Sequence, residues 1–452
     1  MQDGIPNPQR GLAFLTIGIA LTMAVLDGAI VNVALPSIAK DLQINSSEVI
    51  WVLNAYQLAV TVSLLPLSSL GEILGYKRIY WSGLAIFTLA SFLCANSTSL
   101  TFLILARVLQ GFGAAGIMSV NIALVRFIFP QRLLGQGVGY TALVVGVSSA
   151  AGPSVAAAIL SVAHWEWLFL VNVPLGILAL IIAAKTLPRT PLSSHRFDWK
   201  SAILNALTFG LLIIGIDGLS HHQDLTIPLA ELGAAILIGI VFVRRQLSLP
   251  APMLPVDLLR RPIFALSMAT SFCSFSAQML AFVSLPFFFQ DVLGKTDTQT
   301  GLLMTPWPLA TAMMAPIAGR LADRFEPGKL GGIGLAFMAA GLAATALLPA
   351  HPSTLDIVWR LALTGFGFGL FQSPNNKAII SSAPRNRSGG ASGLQSTGRL
   401  VGQSVGAALV AGIFGLFTHN QTQVALWLGV ALALGGATAS SFRRLTRDTA
   451  ES

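Results

Sequence analysis

The sequence contains few charged residues, two cysteines and no nucleotide-binding loop. Only 10% of its 452 residues are charged, whereas an ordinary soluble domain carries about 25%. Hydrophobic residues make up 54%, and the mean hydropathy is +0.74. This composition excludes a soluble globular domain, and it excludes a disordered chain because so much apolar surface cannot remain exposed to water. The chain is therefore expected to reside in a lipid bilayer.

The two cysteines, Cys94 and Cys273, lie inside apolar runs, with neither a CxxC pattern nor a Cys/His cluster around them. Neither a disulfide framework nor a zinc site is expected from such positions. The P-loop pattern, GxxxxGK followed by Ser or Thr, is also absent, which argues against ATP hydrolysis. We therefore expect a protein that is not an enzyme and that holds no metal ion or cofactor.

Fourteen apolar runs have about the 20-residue length that a transmembrane helix requires. They cover residues 11–37, 49–70, 79–96, 99–125, 135–162, 166–187, 201–219, 225–243, 263–290, 299–319, 330–349, 354–376, 389–417 and 422–442. The first run is too long for the core of a signal peptide and has no cleavage site after it, so we interpret it as a retained helix. The sequence predicts an all-α polytopic membrane protein with short loops and no sizeable soluble domain.

Lysine and arginine are unequally divided between alternate loops. With the N-terminus in the cytoplasm, 22 of the 27 lie on the cytoplasmic side, three lie within helices, and only Lys40 and Lys295 lie outside. This asymmetry sets the orientation of membrane proteins. We predict a multi-pass protein of the inner (plasma) membrane with both termini in the cytoplasm. The net charge of +9 is then a sign of orientation, and no nucleic-acid partner is expected.

An internal repeat divides the chain into similar halves. Leu70-Gly71-Glu72 and Leu321-Ala322-Asp323 each end the second run of a half, and the motif Leu-x-Gly-Phe-Gly follows in both, next to Arg107 and Arg360. We predict a six-helix bundle at 1–190, an inserted two-helix linker at 191–255 and a second six-helix bundle at 256–452. Many secondary transporters consist of repeated halves with the substrate site between them at the bilayer midplane.

Asp27 lies well inside the first run, 16 residues from its start and 10 from its end. An acid at that depth costs about 2.5–3.5 kcal/mol on insertion scales, so we expect it to face a protein-lined or water-filled cavity. Arg107, in the fourth run, cannot lose its proton and needs a carboxylate or water. Two interpretations are open: the two residues couple transport to proton movement, or Asp27 is a structural partner and Arg107 a packing anchor.

Small residues and two further arginines are predicted to serve helix packing. Glycines at helical spacing let backbones approach closely, and proline removes a backbone donor and bends its helix. For the two arginines we favour a structural role. The residues assigned to packing are Gly111, Gly113, Gly152, Pro153, Arg360 and Arg399.

Charged clusters at the inner ends of the second helices of each half are candidates for a conformational latch. They comprise Glu72, Lys77 and Arg78 in the first half, and Asp323 and Arg324 in the second. A carboxylate and a base in a tight turn can bind each other or a neighbouring helix end and so stabilise one conformation. The alternative is that these bases only reflect the positive charge of cytoplasmic loops.

Aromatic and amide side chains within the runs are candidates for binding a lipophilic substrate. The alternative is that they face lipid or a neighbouring helix. The candidate substrate-binding residues are Asn54, Gln57, Phe275, Gln278, Phe282 and Trp307.

Taken in order, these motifs resemble those of the major facilitator superfamily, and within it the fourteen-helix branch of drug:proton antiporters. The sequence Leu-Asp-Gly-Ala-Ile-Val-Asn-Val-Ala-Leu-Pro at 26–36 is similar to that branch's first-helix motif, with Ala29 where Thr is usual. Residues 72–78 are similar to the motif of the loop between helices 2 and 3. The proton-coupling motif of the fourth helix is matched by Arg107, Gln110, Gly111 and Gly113.

The resemblance covers nearly the whole chain and implies a function. It implies the major facilitator fold, with two six-helix bundles and an inserted helix pair, and rocker-switch alternating access. It further implies proton-coupled efflux of lipophilic or cationic small molecules. The alternative is a transporter of a specific metabolite or a lipid, by uptake or uniport. The expected partners are a small-molecule substrate, protons and the bilayer, and we expect a monomer.

Overall fold

The computed structural model of the protein describes residues 4–130, 133–193, 196–221, 225–249, 252–382 and 388–451. Throughout these residues the secondary structure is helical, without a strand. Thirteen of the described helical segments are long and apolar enough to cross a bilayer. The expectation of an all-α polytopic membrane protein is confirmed.

The helices follow the predicted runs along the chain. The N-terminal half contains α1 (Gln9–Asp41), α2 (Ser46–Val49), α3 (Trp51–Leu74), α4 (Tyr76–Ala95), α5 (Leu100–Ile128), α6 (Leu134–Leu160), α7 (Trp167–Leu170) and α8 (Asn172–Thr186). The inserted pair is α9 (Trp199–His221) and α10 (Thr226–Ser248). The C-terminal half contains α11 (Pro262–Phe287), α12 (Asp297–Met304), α13 (Pro306–Arg324), α14 (Pro327–Ala346), α15 (Thr354–Ser382), α16 (Ser388–Leu416) and α17 (Gln421–Glu451). A 3₁₀ helix, Val256–Arg260, precedes α11, and a π-helical turn, Phe288–Val292, follows it.

Three of the fourteen predicted spans are divided into a short helix and a long one. They are the second (α2 and α3), the sixth (α7 and α8) and the tenth (α12 and α13). In the tenth, Thr296 and Gln299 form a capping box that starts α12. Pro306 then begins α13, because a residue without an N–H group is tolerated in the first helical turn. A hydropathy pattern contains no information about such caps, so it predicts one continuous span.

Glycine contacts recur in equivalent places of the two halves. A Cβ atom added to Gly113 in α5 would overlap the backbone nitrogen of Phe87 in α4. A Cβ atom added to Gly367 in α15 would overlap the backbone nitrogen of Met338 in α14. A Cβ atom added to Gly152 in α6 would likewise overlap the side chain of Ala29 in α1, at 2.5 Å from its Cβ. Only residues without a side chain allow these backbones to approach so closely.

The two halves meet at the end of the bundle that contains Asp41, which we call the Asp41 end. A cluster of buried apolar side chains there joins α1, α3 and α5 to α11 and α16. Gln290 donates to the backbone carbonyl of Val33 at 2.9 Å, and Ser37 donates to Asp297 at 2.5 Å. Lys40 and Asp291 form an ion pair at 3.1 Å. In this conformation the halves are therefore closed on each other at the Asp41 end.

The inserted pair packs against both halves. Helix α9 lies along α3 and α16. Its Asn205 donates to the carbonyl of Val62 at 2.9 Å, and its Asp217 accepts from the indole of Trp51 at 2.9 Å. All of these polar contacts go to α3, so α9 is fixed to the N-terminal half by hydrogen bonds.

Candidate functional site

Asp27 and Arg107 contact each other inside the N-terminal half. Asp27 comes from α1 and Arg107 from α5, and each residue is 0% exposed. The Nη1 of Arg107 donates to Oδ2 of Asp27, and its Nε donates to the carbonyl of Val52 in α3 at 2.9 Å. The acid therefore faces neither lipid nor a solvent-filled space in this conformation. It lies among protein groups, as its position in the sequence predicts.

The amide of Gln110 connects the acid to the base. Its Nε2 donates to Oδ1 of Asp27 at 2.8 Å and to the hydroxyl of Ser91 at 2.9 Å, while its Oε1 accepts from Arg107 at 2.6 Å. Asn172, at the start of α8, donates to the same Oδ1 of Asp27 at 3.3 Å. The carboxylate thus accepts from three side chains on two other helices. Such hydrogen bonds to a charged group are among the strongest in proteins.

Two aromatic rings enclose the guanidinium of Arg107. The centroid of the Tyr56 ring lies 4.2 Å from its Cζ atom, and that of Phe169 lies 5.5 Å away. Gly111 in α5 has no side chain and therefore packs directly against the backbone of Tyr56. A Cβ atom added to Gly111 would lie 2.6 Å from the carbonyl oxygen of Tyr56, and this close packing holds Tyr56 in place. The rings exclude water and attract the cation.

The arrangement is electrically balanced, and this limits its chemistry. A buried ion pair is stable only while both charges are present, because removal of one leaves the other uncompensated at low dielectric. Adding a proton to Asp27 would leave the positive charge of Arg107 without its counter-ion. Protonation of Asp27 is therefore tied to a rearrangement around Arg107.

The duplicated arginine of the C-terminal half has different surroundings. Arg360 pairs with Asp356 one turn earlier in α15, at 2.9 Å, and also donates to the carbonyl of Ala344. Its side chain is 14% exposed. Arg399 is half-buried in α16. The buried acid–base pair is thus found in only one half of the described chain.

The predicted substrate residues of α11 and α13 make two separate ring contacts. Phe282 and Trp307 are in ring contact, with centroids 4.8 Å apart, and Phe275 contacts Phe368 instead, at 5.4 Å. Gln278 is half-buried one helical turn from both phenylalanines on α11.

Asn54 and Gln57 lie in α3 on the face that reaches α16, where Thr61 and Ser404 are 3.4 Å apart. Both amides are buried. Among the described residues, the Oδ1 and Nδ2 of Asn54 and the Oε1 of Gln57 have no hydrogen-bond partner. The structure therefore brings Phe282 and Trp307 together, but the hydrogen bonds and ring contacts of the described residues do not join them to Asn54 or Gln57.

Two of the predicted latch residues, Lys77 and Glu72, form hydrogen bonds with segments near the end of α8 or beyond it. Lys77 donates to the carbonyl of Ala184 near the end of α8 at 2.8 Å, and the backbone carbonyl of Glu72 accepts from Ser193 at 2.8 Å. Gly75, between them, has a φ of 98°, which glycine adopts without strain. Arg78 and Arg324 are exposed. The side chain of Asp323 lies outside the described part of the structure.

Sequence reasoning missed several residues of the buried site. They are Tyr56, Ser91, Phe169 and Asn172, all in membrane helices or at their ends. Aromatic, hydroxyl and amide side chains are common in such helices, so none stands out by type. The fully described residues contain no cluster of His, Cys, Asp or Glu that could hold a metal ion.

Comparison with known proteins assigns the chain to a family. The model of the Major Facilitator Superfamily matches residues 17–407. The chain is 58% identical over 443 residues to the uncharacterized transporter YebQ of Escherichia coli (strain K12), which covers 98% of this chain and 97% of that protein. The chain belongs to the major facilitator superfamily, and it is a multi-pass membrane transporter.

More distant relatives have different activities. The riboflavin transporter RibZ of Clostridioides difficile (strain 630) is 30% identical over 91% of this chain and 90% of its own length. The multidrug efflux pump LfrA of Mycolicibacterium smegmatis is 28% identical over 97% of this chain and 89% of its own length. The family is therefore established, while the relatives differ in substrate.

Proposed function

We propose that the protein is a proton-coupled exporter of lipophilic or cationic small molecules that works by alternating access. Asp27 is the proton-carrying group, and Arg107 stabilises its charged form. The Asp41 end faces the outside, so the conformation described above is closed to the outside. The distribution of lysine and arginine supports this orientation.

The observation that carries the proposal is the burial of one acid–base pair inside the N-terminal half. Asp27 and Arg107 are both 0% exposed, although a charged residue at this depth is costly. In membrane proteins, ionisable groups retained at such positions commonly mark ion or proton pathways. The state of the pair depends on a proton because a neutral Asp27 no longer compensates Arg107.

The energetics fit an exporter of dilute toxic compounds. One elementary charge moved across about 100 mV yields roughly 2.3 kcal/mol, which corresponds to about fiftyfold accumulation. Such a gradient works with a pocket that binds loosely, because the product must leave. The apolar ring pair of Phe282 and Trp307 suits compounds that partition from the bilayer.

The test measures dye export in everted membrane vesicles that contain the intact chain or Asp27→Asn. We expect the intact protein to accumulate dye only while a proton gradient exists, and the uncoupler to abolish accumulation. Asp27→Asn should lose gradient-driven accumulation while retaining dye binding. The matched control is Asp217→Asn, which changes a second buried intramembrane acid, 8% exposed and outside the pair. That control should retain gradient-driven export.

Two outcomes would contradict the proposal. Accumulation that persists in the presence of uncoupler would show that protons do not drive transport. Full accumulation by Asp27→Asn would show that the proton passes elsewhere.

A second candidate is transport of a defined planar metabolite. It is favoured by the 30% identity to a riboflavin transporter and by the buried, unpartnered amide of Asn54, which offers a donor and an acceptor side by side. Competition of riboflavin with dye export, reduced by Asn54→Leu but not by Phe282→Leu, would favour this candidate over the first.

A further inference from the structure

Residues 165–172 form a short helical strip that lies along the outer half of α1. The backbone bond from Leu168 to the carbonyl of Trp165, at 3.0 Å, begins the helical geometry, which continues through α7 into α8. Trp165, Phe169 and Asn172 are therefore spaced i, i+4 and i+7 and share one face of the strip. All three are buried, with exposures of 4%, 0% and 2%.

This face touches α1 at two separated points. At one end, the indole N–H of Trp165 donates to Asp41, the last residue of α1, at 2.9 Å. At the other end, Asn172 donates to Asp27 at 3.3 Å. Between them, Phe169 packs edge-on against Trp165 at 6.2 Å and also lies over the guanidinium of Arg107. The strip thus connects the buried ion pair to the end of α1 by continuous side-chain contact.

The end of α1 that the strip reaches is also where the halves are joined. The backbone carbonyl of Val33 accepts from Gln290, and the hydroxyl of Ser37 donates to Asp297. Lys40 forms an ion pair with Asp291. Asp41 therefore belongs to the same end of α1 as the groups that contact the C-terminal half.

We propose that Trp165, Phe169 and Asn172 are positioning residues that transmit the ionisation state of Asp27 to the Asp41 end of α1. This inference rests on the proposed function, because it takes Asp27 as the proton-carrying group. A neutral carboxyl accepts more weakly than a carboxylate, so protonation weakens the bond from Asn172. It also frees Arg107 to move against Phe169. Packed side chains with two discrete arrangements can carry such a change to a distant contact.

The groups that face Asp27 are few. Arg107 comes from α5, Tyr56 from α3 and Cys94 from α4, where the thiol donates to Gln110 at 3.6 Å. Arg107 does not titrate in a protein, whereas a phenol ordinarily titrates at about pH 10 and a thiol at about pH 8.5. A pH response of the reporter that Asp27→Asn abolishes therefore reports on Asp27 in preference to these neighbours.

The experiment measures opening of the Asp41 end with a thiol reporter. Val33→Cys places the reporter at a side chain that is 1% exposed, and its backbone carbonyl still accepts from Gln290. The full-length protein in lipid nanodiscs is labelled with a membrane-impermeant maleimide at about pH 5.5 and about pH 8. Each rate is divided by that of glutathione at the same pH, and protein without Val33→Cys gives the background from the native cysteines.

In protein that carries only the substitution Val33→Cys, we expect the normalised labelling rate to change by about fivefold between the two pH values. This factor corresponds to the free energy of one hydrogen bond. Asp27→Asn should abolish the change. Trp165→Phe, which keeps an aromatic side chain but removes the indole N–H donor, should reduce it to less than about twofold. Asp41→Ala removes the same hydrogen bond from an exposed position and should have the same effect. The matched control, Trp167→Phe, alters a neighbouring indole that is 53% exposed and should leave the change intact.

The outcomes separate the two proposals. If Asp27→Asn abolishes the pH response while Trp165→Phe and Asp41→Ala retain it in full, the strip does not transmit the signal and only this inference is overturned. If the response is absent from the reporter protein, or persists in Asp27→Asn, the role of Asp27 fails and the inference fails with it.

Discussion

The ring of Tyr56 lies against the guanidinium of Arg107, 4.2 Å from centroid to Cζ, while its hydroxyl donates to the carbonyl of Ala24 at 2.9 Å. A single side chain of α3 thereby contacts both α5 and α1 beside the buried acid. The position of the base relative to the acid depends on this ring as well as on the ion pair itself.

Shortening Tyr56 in two steps should separate these contributions. Tyr56→Phe keeps the ring and loses one buried hydrogen bond, so we expect a loss of about 1 kcal/mol in the free energy of unfolding. Tyr56→Leu also removes the ring and should cost roughly 1–2 kcal/mol more through the lost cation–π contact and packing. Unfolding of the purified protein in detergent measures both. Equal losses for the two variants would contradict the role of the ring.

Removing one partner of the buried pair should be more harmful than removing both. Arg107→Gln leaves Asp27 as an uncompensated charge and should destabilise the protein by about 3–5 kcal/mol. In the double variant Asp27→Asn with Arg107→Gln, neither charge remains, so part of that stability should return. A double-mutant cycle from unfolding measurements gives the coupling energy. Additive losses would mean that the two side chains do not depend on each other.

Replacing glycine by alanine should destabilise the protein at Gly113, where helices touch, but not at Gly146, where no atom is near. Gly113→Ala pushes a methyl group onto the backbone of Phe87 and should cost about 1–3 kcal/mol or force α4 and α5 apart. Gly146→Ala in α6 adds a methyl group where no atom lies within 4 Å. That control should be neutral or gain up to about 1 kcal/mol, since alanine favours helix over glycine. Thermal unfolding of both variants tests the contrast.

Acid should weaken the link between α9 and α10 that is made by Asp198, which precedes α9. Burial acts to raise the pKa of Asp198, but hydrogen bonds from Ser201 and Arg245, at 2.6 and 2.9 Å, hold it below its usual 3.8. A carboxyl whose pKa is lower in the folded state contributes stability above the unfolded pKa, and this contribution is lost as the pH falls through the folded value.

Asp198→Asn should therefore lower the unfolding temperature at neutral pH, and the difference from the parent should shrink as the pH falls below 3.8. Unfolding of the parent and the variant across this range measures the effect. A difference between the two proteins that is the same at every pH would contradict the titration of Asp198.

The sequence predicts most of the spans because each apolar run is long and bounded by polar residues. Fourteen spans are predicted, and thirteen of the described helical segments are long and apolar enough to cross a bilayer. The sequence does not predict the division of the second, sixth and tenth spans. In the tenth span, the division coincides with the proline that opens α13, which contributes little to hydropathy. The divisions at Ile50 and Val171 have no capping side chain, so no sequence signal marks them. The same limit explains why the strip at 165–172 is predicted only as the start of a helix.

For the site, the sequence predicts Asp27 and Arg107 because charges are rare in apolar runs. It cannot predict Tyr56 or Phe169, whose importance comes from their position around a guanidinium and not from their type. The repeat suggests that Arg360 is equivalent to Arg107, but the nearby Asp356 satisfies it one helical turn away. Local neighbours, which a repeat does not preserve, decide what each arginine does.

Helix α9 shares its long sides with α3 and α16, yet its described hydrogen bonds outside the inserted pair run to α3 alone, from Asn205 and to Trp51. Contact with α16 is made without such bonds among these residues. Under the proposed alternating access, the inserted pair is therefore expected to move together with the N-terminal half. The C-terminal half would then move past α9 without breaking a hydrogen bond between described residues of α9 and α16.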